Sequence, residues 1–438
     1  MRNLAILMTL TALTSLSACS GGDAQSASGV VASPVGGTGG TGSSGSSTDV
    51  YAQFKTPTVA RTYSGIGASQ VYKYSTDDRT PTNNTSGTGL TGSRGQQAVT
   101  YAGNASTVRD SKIQLTYDPR AAVFTLSVTD PLSGAAAATR FQDPANRTNF
   151  GGAVEPQWGV TNFALFPGIG QNNNIRFLQA GDGDPLSPYG RSGNGFVDPG
   201  NNTTPPSGDS GAGYQSTTMF YETPGSGGTN YVSLAGYVRN DMKWVEVTAG
   251  TLTVNQTQWK LERGAFAYGI MTDNAAVPTS GSGTYTGDMI GTLVFNPTID
   301  NTTSYPTFFQ WLSGTSSTTV NFATGAVTLL LNGIVGAPQF DRFTTPQLAS
   351  LNAGTTFTAS GTANIDLVRT GGFTGQFQSA SFGATNNGTN PVVSIAGSSI
   401  DGGFFGPAAE NVGGGFRITG ATPDQRIDIA GAFKGVKP

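Results

Sequence analysis

The stretch Asp401-Gly-Gly-Phe-Phe-Gly-Pro-Ala-Ala-Glu-Asn-Val-Gly-Gly-Gly-Phe416 indicates the fold of this chain most directly. Its two phenylalanines end an apolar strand at Phe405, and the glycine that follows permits a backbone reversal that other residues resist. The proline suits the first position of a short helical turn. Three glycines then lead into a new strand that we expect to begin at Phe416. The turn residues of this motif are Gly406, Pro407, Glu410, Gly413 and Gly414.

The residues after this motif predict a closing hairpin. Residues 416–418 and 427–429 alternate between apolar and polar side chains, which is the period of a half-buried strand. The segment 419–424 between them is polar and contains Gly420 and Pro423, so it predicts the turn. We therefore interpret the glycines and phenylalanines of this region as parts of the scaffold rather than as a ligand site.

The composition of the whole chain predicts an all-β protein. Glycine accounts for 63 of 438 residues, aromatic residues for 10% and charged residues for only 11%. This profile is typical of strands linked by many turns, and the chain is too long for one hydrophobic core. Strand patterns in the C-terminal half include residues 264–270, 283–286, 292–295, 319–322, 326–331, 362–367, 372–377 and 395–405. Those in the N-terminal half include residues 71–74, 113–117, 123–128, 231–237, 243–247 and 252–259.

Three motifs in the C-terminal half resemble one known family. The stretch 401–416 resembles a Phe/Tyr-Gly-Pro-x-Ala-x-Glu-x-x-Gly-Gly signature, and residues 320–327 resemble an Asp-Phe-Ala-Thr-Gly hairpin. Residues 278–287 resemble a Pro-x-x-Gly-x-Ala/Gly-x-Tyr-x-Gly barrel opening. The family with these motifs, in this order, is that of transferrin-binding protein B-like surface lipoproteins.

The resemblance implies two folded domains. A closed antiparallel barrel of about eight strands is expected at residues 262–438, and closure would remove exposed strand edges. A strand-rich, handle-like domain is expected before it, at residues 51–261. A membrane-spanning barrel is the alternative. Short strand patterns, a lipid anchor and a non-aromatic C-terminus favour a barrel outside the membrane.

The N-terminus predicts a lipoprotein. Arg2 and an apolar run from Leu4 to Leu16 precede Leu16-Ser-Ala-Cys19, which has the pattern of a lipobox. Residues 1–18 are thus interpreted as a signal peptide, and Cys19 as the acylated residue, with an ordinary secretory peptide as the alternative. Ser20 favours delivery to the outer membrane. Residues 19–50, rich in Gly, Ser and Thr, are predicted to form a disordered tether.

A long segment of the N-terminal half is the predicted recognition surface. Residues 167–229 are dominated by Gly, Asn, Pro, Ser and Thr, with scattered aromatic residues, and loops of this length are uncommon unless functional or disordered. The candidate binding residues are Tyr189, Phe196, Tyr214 and Tyr221. A disordered insertion without a ligand is the alternative.

The residue inventory argues against catalysis. The chain has no histidine, which removes the usual general base and the commonest transition-metal ligand. Gly208-Asp-Ser-Gly211 matches a protease nucleophile motif, but Ser210 then lacks a base. Asp182, Asp184 and Asp198 are spaced unlike a calcium loop and favour a solvated turn. No cofactor is predicted, and 23 basic against 26 acidic residues argue against nucleic acid as a partner.

These observations together predict a binding protein of the outer membrane. The family resemblance implies that it captures a solute or a host protein, such as an iron carrier or a haemoprotein, in iron or haem acquisition beside a TonB-dependent receptor. A structural or adhesive envelope lipoprotein without a transported ligand is the alternative.

Overall fold

The computed structural model describes residues 47–77, 97–103, 112–129, 134–142, 174–181, 213–249, 252–296, 308–336, 351–383, 391–422 and 425–438. In these residues nearly all regular structure is β, as predicted. The exceptions there are helix α1 (Ser47–Ala52) and two short 3-10 turns, Ser226–Gly228 and Asn274–Ala276. No helix in the described ranges is long and apolar enough to cross a membrane.

Nine strands form the first sheet. The strands are β1 (Arg61–Asp77), β2 (Gln97–Gly103), β3 (Ile113–Asp118), β4 (Val123–Thr129), β5 (Ala136–Gln142), β6 (Ile175–Gly181), β7 (Gly213–Glu222), β8 (Val232–Ala249) and β9 (Leu252–Gly269). Their spatial order is β5-β4-β3-β1-β9-β8-β7-β6, with β2 paired to β1, and every pairing is antiparallel.

The first sheet differs from the predicted layout at two places. Strands β6 and β7 lie within residues 167–229, which the sequence predicts as one long loop, because Thr217, Thr218 and the aromatic residues around them extend into a ladder with β8. Strand β9 crosses the predicted domain boundary at 261/262, since its ladders with β1 and β8 continue to Ala267 and Gly269, respectively. The barrel strands begin at Ser282.

Eight antiparallel strands close the predicted C-terminal barrel. Each strand pairs with the next along the chain, and the first pairs with the last through Ile290 opposite Ala432. The barrel strands are β10 (Ser282–Asn296), β11 (Phe308–Asn321), β12 (Ala326–Val335), β13 (Thr356–Asp366), β14 (Gly372–Phe382), β15 (Ser394–Phe405), β16 (Asn411–Thr422) and β17 (Gln425–Val436).

These strands are longer than their sequence patterns suggested. The patterns at 283–286 and 292–295 belong to one continuous strand, β10. The two are joined through Gly287 and Gly291, where the neighbouring backbone is too close for a side chain: a Cβ on Gly287 would lie 2.5 Å from the Lys434 carbonyl oxygen. Glycines that the sequence suggested as strand breaks therefore continue the ladders at points of close approach.

The barrel is filled by its own side chains. Along β12, buried Val327, Leu329 and Leu331 alternate with exposed Thr328 and Leu330. Phe373 contacts Phe404 and Phe433 in the same core, with ring centroids 5.7 and 6.4 Å apart. The inside of the barrel is thus a hydrophobic core, as in other small barrels.

The signature glycines lie inside β16 and do not precede it, so the predicted strand start at Phe416 is wrong. A Cβ on Gly413 would lie 2.7 Å from Cγ2 of Val232 in β8. The absence of a side chain at Gly413 lets the first sheet approach the outer wall of the barrel. Strand β16 begins at Asn411.

The first sheet packs on the barrel through a second hydrophobic core. This core joins one face of the sheet to outward-facing residues of the barrel, and its members are Ile66, Ala68, Phe220, Val232, Leu234, Val238, Ala265, Ala267, Ile290, Trp311, Phe405, Ala430 and Ala432. Phe220 meets Trp311 edge to face, with centroids 5.2 Å apart. A third core, on the opposite face of the sheet, includes Phe54, Tyr63, Leu115 and Tyr268.

Candidate functional site

An aromatic cleft of about 250 Å³ opens beside the third core, on the face of the first sheet that points away from the barrel. The segment after α1 covers it, and strands β1, β3, β4, β7 and β9 contribute its walls. The lining residues are Phe54, Lys55, Pro57, Tyr63, Leu115, Tyr117, Phe124, Tyr221, Thr223, Pro224 and Tyr268.

The walls of the cleft are two groups of aromatic rings. In one group, Phe54, Tyr63 and Tyr268 meet edge to face, with centroids 5.6 to 5.7 Å apart. In the other, Tyr117 stacks on Phe124 at 4.3 Å, and Phe124 meets Tyr221 at 4.9 Å. Such ring packing holds the side chains in fixed positions, so the cleft is preorganised rather than formed on demand.

The mouth of the cleft carries a positive charge. Lys55 is exposed, and its Nζ donates a hydrogen bond to Oδ1 of Asn230 at 3.3 Å. The described lining residues include no carboxylate. Burial raises the pKa of Tyr63 to about 12, against a smaller lowering by Arg61, and burial likewise raises the pKa of Tyr268. Their phenols therefore stay neutral at physiological pH.

The predicted binding residues have separate places. Tyr221 is at the end of β7 and lines the cleft with 8% of its surface exposed. Tyr214 lies on β7 opposite Met242 of β8. Cys19, Tyr189 and Phe196 are outside the described residues, as are Asp182, Asp184, Asp198 and Ser210 of the rejected motifs.

The C-terminal motif forms the joint between the barrel and the first sheet. Gly406 has a φ of +94°, as its predicted turn requires, and its N–H donates to the carbonyl of Ile270 at 3.0 Å. Thr272 Oγ1 donates to the Gly406 carbonyl at 2.6 Å. Glu410 Oε2 accepts from the N–H of Ala408 at 2.9 Å and so stabilises the turn itself, which contains Pro407. The motif positions the two parts of the molecule as well as joining β15 to β16.

Sequence reasoning missed an ion cluster at this joint. Nζ of Lys434, on β17, lies 2.5 Å from Oε2 of Glu222 at the end of β7 and 3.5 Å from Oδ2 of Asp288 on β10. It also donates to Oγ1 of Thr229 at 2.9 Å. Burial raises the pKa of Glu222 to about 7, against the lowering effect of Lys434. Nothing in the local sequence around Lys434 identifies partners so far away in the chain.

A second polar group crosses the same joint. Gln70 on β1 donates from Nε2 to the carbonyl of Asp428 at 2.9 Å and accepts from the hydroxyl of Thr292. The carboxylate of Asp428 pairs with Arg417 Nη2 at 2.9 Å, and both side chains are buried. These contacts join β1 to barrel strands β10 and β17, and β16 to β17, and we interpret them as structural.

The described residues contain no group of three or more metal-ligating side chains from His, Cys, Asp and Glu. The joint clusters hold their charges in ion pairs, and the aromatic cleft combines apolar walls with neutral phenols and one ammonium group. This arrangement in the cleft is suited to holding a ligand by packing, hydrogen bonds and charge.

Three solved structures of transferrin-binding protein B (TbpB) are similar to this chain. A single-substitution variant of this vaccine antigen from Haemophilus parasuis Hp5 matches with 13% identity and a TM-score of 0.28, over 85% of this chain and 77% of that chain. A double-substitution variant from the same source has 12% identity and a TM-score of 0.27, over 86% and 76%. Intact Ap-TbpB, with its N and C lobes, has 11% identity and a TM-score of 0.26, over 87% and 78%.

No family model matches the chain, and no curated protein matches it. The matched structures are of the protein whose family the three barrel motifs resemble. At these identities and TM-scores the match carries no argument about the ligand or the binding residues.

Proposed function

We propose that this protein is a lipid-anchored binding protein of the outer-membrane surface that captures an iron carrier or a haemoprotein. Cys19 would carry the lipid, and the predicted tether, residues 19–50, would link the membrane to the folded part, although its last four residues belong to helix α1. A TonB-dependent receptor would take up the captured iron or haem. The protein acts by binding and has no catalytic step.

The observation that carries the proposal is where the three family-like motifs lie in the barrel. Residues 278–287 lead into β10, residues 320–327 form the β11–β12 hairpin on Gly325, and residues 401–416 join β15 to β16. Each motif lies at a different, defined connection of the barrel. Such an arrangement is less easily matched by chance than glycine-rich stretches at arbitrary sites. They support descent from a family of surface binding proteins.

The filled barrel supports binding on the outside of the molecule. Phe373, Phe404, Phe416 and Phe433 belong to one continuous core, which leaves the barrel without an aqueous lumen for a solute. The sheet covers one part of the barrel wall. We therefore propose that the carrier is recognised by the first sheet and by the connections between its strands, which include residues 182–212 between β6 and β7.

A capture experiment tests the proposal. The full chain without residues 1–18 and with Cys19→Ser is immobilised and incubated with iron-loaded transferrin, haemoglobin and the corresponding iron-free proteins. We expect retention of an iron-bearing protein, and loss of retention when residues 182–212 are replaced by a short Gly/Ser linker. If no iron-bearing protein is retained and expression is unchanged under iron starvation, the proposal is wrong and the structural or adhesive alternative is favoured.

The anchor is tested separately. Cells that express the full chain or its Cys19→Ser variant are labelled with a palmitate analogue, and their outer membranes are isolated. We expect the label and membrane attachment only with Cys19, because two or more acyl chains give stable attachment. Equal fractionation of both forms with the membrane would contradict the lipid anchor but would leave the capture proposal standing.

A further inference from the structure

We propose that the aromatic cleft of the first sheet is a binding site for a small aromatic acid, a single ring that carries an anionic substituent. This site is separate from the proposed capture of an iron carrier, and neither depends on the other. The proposal rests on the size and enclosure of the cleft, on the chemistry of its walls and on the charge at its mouth.

The enclosure favours a small molecule over a partner protein. Phe54 is 2% exposed and Tyr221 8%, although both line the cleft, so the inner walls are recessed from the protein surface. The more exposed lining residues, Lys55, Pro57, Tyr117, Thr223 and Pro224, surround the mouth. A flat protein surface cannot reach walls placed in this way, whereas a small planar molecule can enter.

The volume favours a small ligand. Sites for drug-sized ligands occupy about 300–1,000 Å³, and the cleft has about 250 Å³. A haem or a multi-ring iron chelate exceeds this space. The stacked pair of Tyr117 and Phe124, with its nearly parallel planes (30°), offers a flat wall on which a single aromatic ring can stack in offset geometry.

The charge of the site selects an anion. Lys55 is the one charged side chain among the described lining residues, and its ammonium group lies at the mouth with Asn230 as its neighbour. Tyr63, whose pKa is raised by burial, keeps its proton, so its hydroxyl adds no negative charge to the cleft. Nearby Arg61 adds to the positive potential on this side. A cationic ring would find no carboxylate among the described lining residues, although Glu222, which is buried in its pair with Lys434, acts on Tyr268.

Three probes separate the parts of this proposal. The full chain without residues 1–18 and with Cys19→Ser is titrated with benzoate, benzylamine and acetate, and binding is followed by calorimetry and by tyrosine fluorescence. Benzoate has both the ring and the anion, benzylamine has the ring with a cation, and acetate has the anion alone. We expect saturable binding of benzoate and much weaker binding of the other two probes.

Two substitutions place the binding in the cleft. Lys55→Gln should weaken benzoate binding about threefold to fivefold, the effect of losing a solvent-exposed ion pair, and Lys55→Arg should largely restore it. Tyr117→Ala should weaken binding about threefold to tenfold through loss of the stacking wall. Lys437→Gln, an exposed lysine on the barrel side, is the matched control and should leave binding unchanged.

Thermal unfolding of each variant shows whether the fold is retained. Lys55 is exposed, so its substitutions test the site even if Tyr117→Ala is unstable. The proposal is overturned if benzoate shows no saturable binding at millimolar concentration, if benzylamine binds as tightly as benzoate, or if Lys55→Gln leaves the affinity for benzoate unchanged.

Discussion

Nζ of Lys434 lies 2.5 Å from Oε2 of Glu222, and this buried ion pair joins the last strand of the barrel to the β7 end of the first sheet. The two side chains are 1% and 3% exposed. Asp288, on the neighbouring barrel strand, is the second carboxylate near the same ammonium group. The docking of sheet and barrel therefore depends on charges held away from water, where the loss of one partner is costly.

Removal of the cation should destabilise this joint. At pH 8, above the folded-state pKa of Glu222, Lys434→Met removes the partner of a buried carboxylate, and we expect the free energy of unfolding to fall by about 3 kcal/mol. The double variant Lys434→Met with Glu222→Gln should recover part of the loss, because it removes the unpaired charge as well. Urea unfolding followed by circular dichroism measures both changes.

Lys437→Met is the matched control for the joint, because this lysine is exposed three positions further along the chain. Its effect should stay within about 0.5 kcal/mol. A loss in Lys434→Met no larger than that of the control would show that the ion pair does not support docking.

The stability of the joint should depend on pH through Glu222. Its pKa is about 7 in the folded protein, chiefly because of burial, whereas an unfolded glutamate titrates near about 4.3. Between these values the folded protein holds a proton that the unfolded chain has lost, so this group's contribution to stability falls as pH rises. Relative to Glu222→Gln, the wild-type protein should lose on the order of 1–3 kcal/mol between pH 4.5 and 7.5.

This prediction is checked by urea unfolding of both proteins at several pH values in that window. Lys434 and Asp288 face Glu222 and are present in both, so the difference between the two curves isolates the glutamate. Parallel curves, or a wild-type protein that gains stability relative to the variant as pH rises, would contradict the prediction.

Gly413 should tolerate no side chain on the docked wall of the barrel. A Cβ there would lie 2.7 Å from Val232 and 3.1 Å from the ring of Phe405, so Gly413→Val must push the first sheet outward. We expect a loss of about 1–3 kcal/mol from overpacking and faster proteolysis between sheet and barrel.

Gly397→Ala is the comparison for Gly413, because Gly397 lies on neighbouring β15 with no atom within 4 Å of its built Cβ. It should be close to neutral in the same unfolding assay. Equal effects at the two glycines would mean that strand propensity, not docking, explains the result.

Asn411 should stabilise the backbone just before the start of β8. Its Oδ1 accepts a hydrogen bond from the N–H of Tyr231 at 3.0 Å, and the asparagine is 1% exposed. Asn411→Ala leaves this donor without its partner, which should cost about 1–3 kcal/mol. Asn332→Ala, at an exposed position of β12, is the control, and thermal unfolding of both variants should show a clear drop for Asn411→Ala alone.

Much of the barrel follows from local patterns. Residues 326–331 predict a strand, and they form the first part of β12 in the structure. Glycines were harder to interpret. The predicted strand patterns leave out Gly287 and Gly413, yet both lie inside strands, since what requires glycine there is a neighbouring backbone or side chain that no local pattern reveals.

The candidate site was much less predictable. Tyr221 was among the residues selected from the long segment 167–229. Its neighbours in the cleft come from distant parts of the chain: Phe54 follows α1, Tyr63 lies on β1 and Tyr117 lies on β3. Each of these aromatic residues has the sequence context of an ordinary core residue. Only the curvature and strand order of the first sheet bring them around one cleft.

Local patterns along the chain are enough to predict the all-β class and the C-terminal barrel with its three motifs, because strand period and turn chemistry are encoded over a few neighbouring residues. The docking of the first sheet on the barrel, the ion-pair partner of Lys434 and the set of rings around the cleft are visible only in the folded molecule. Those relationships join residues far apart in the chain, and they depend on register and close packing of whole strands, which no short stretch of sequence specifies.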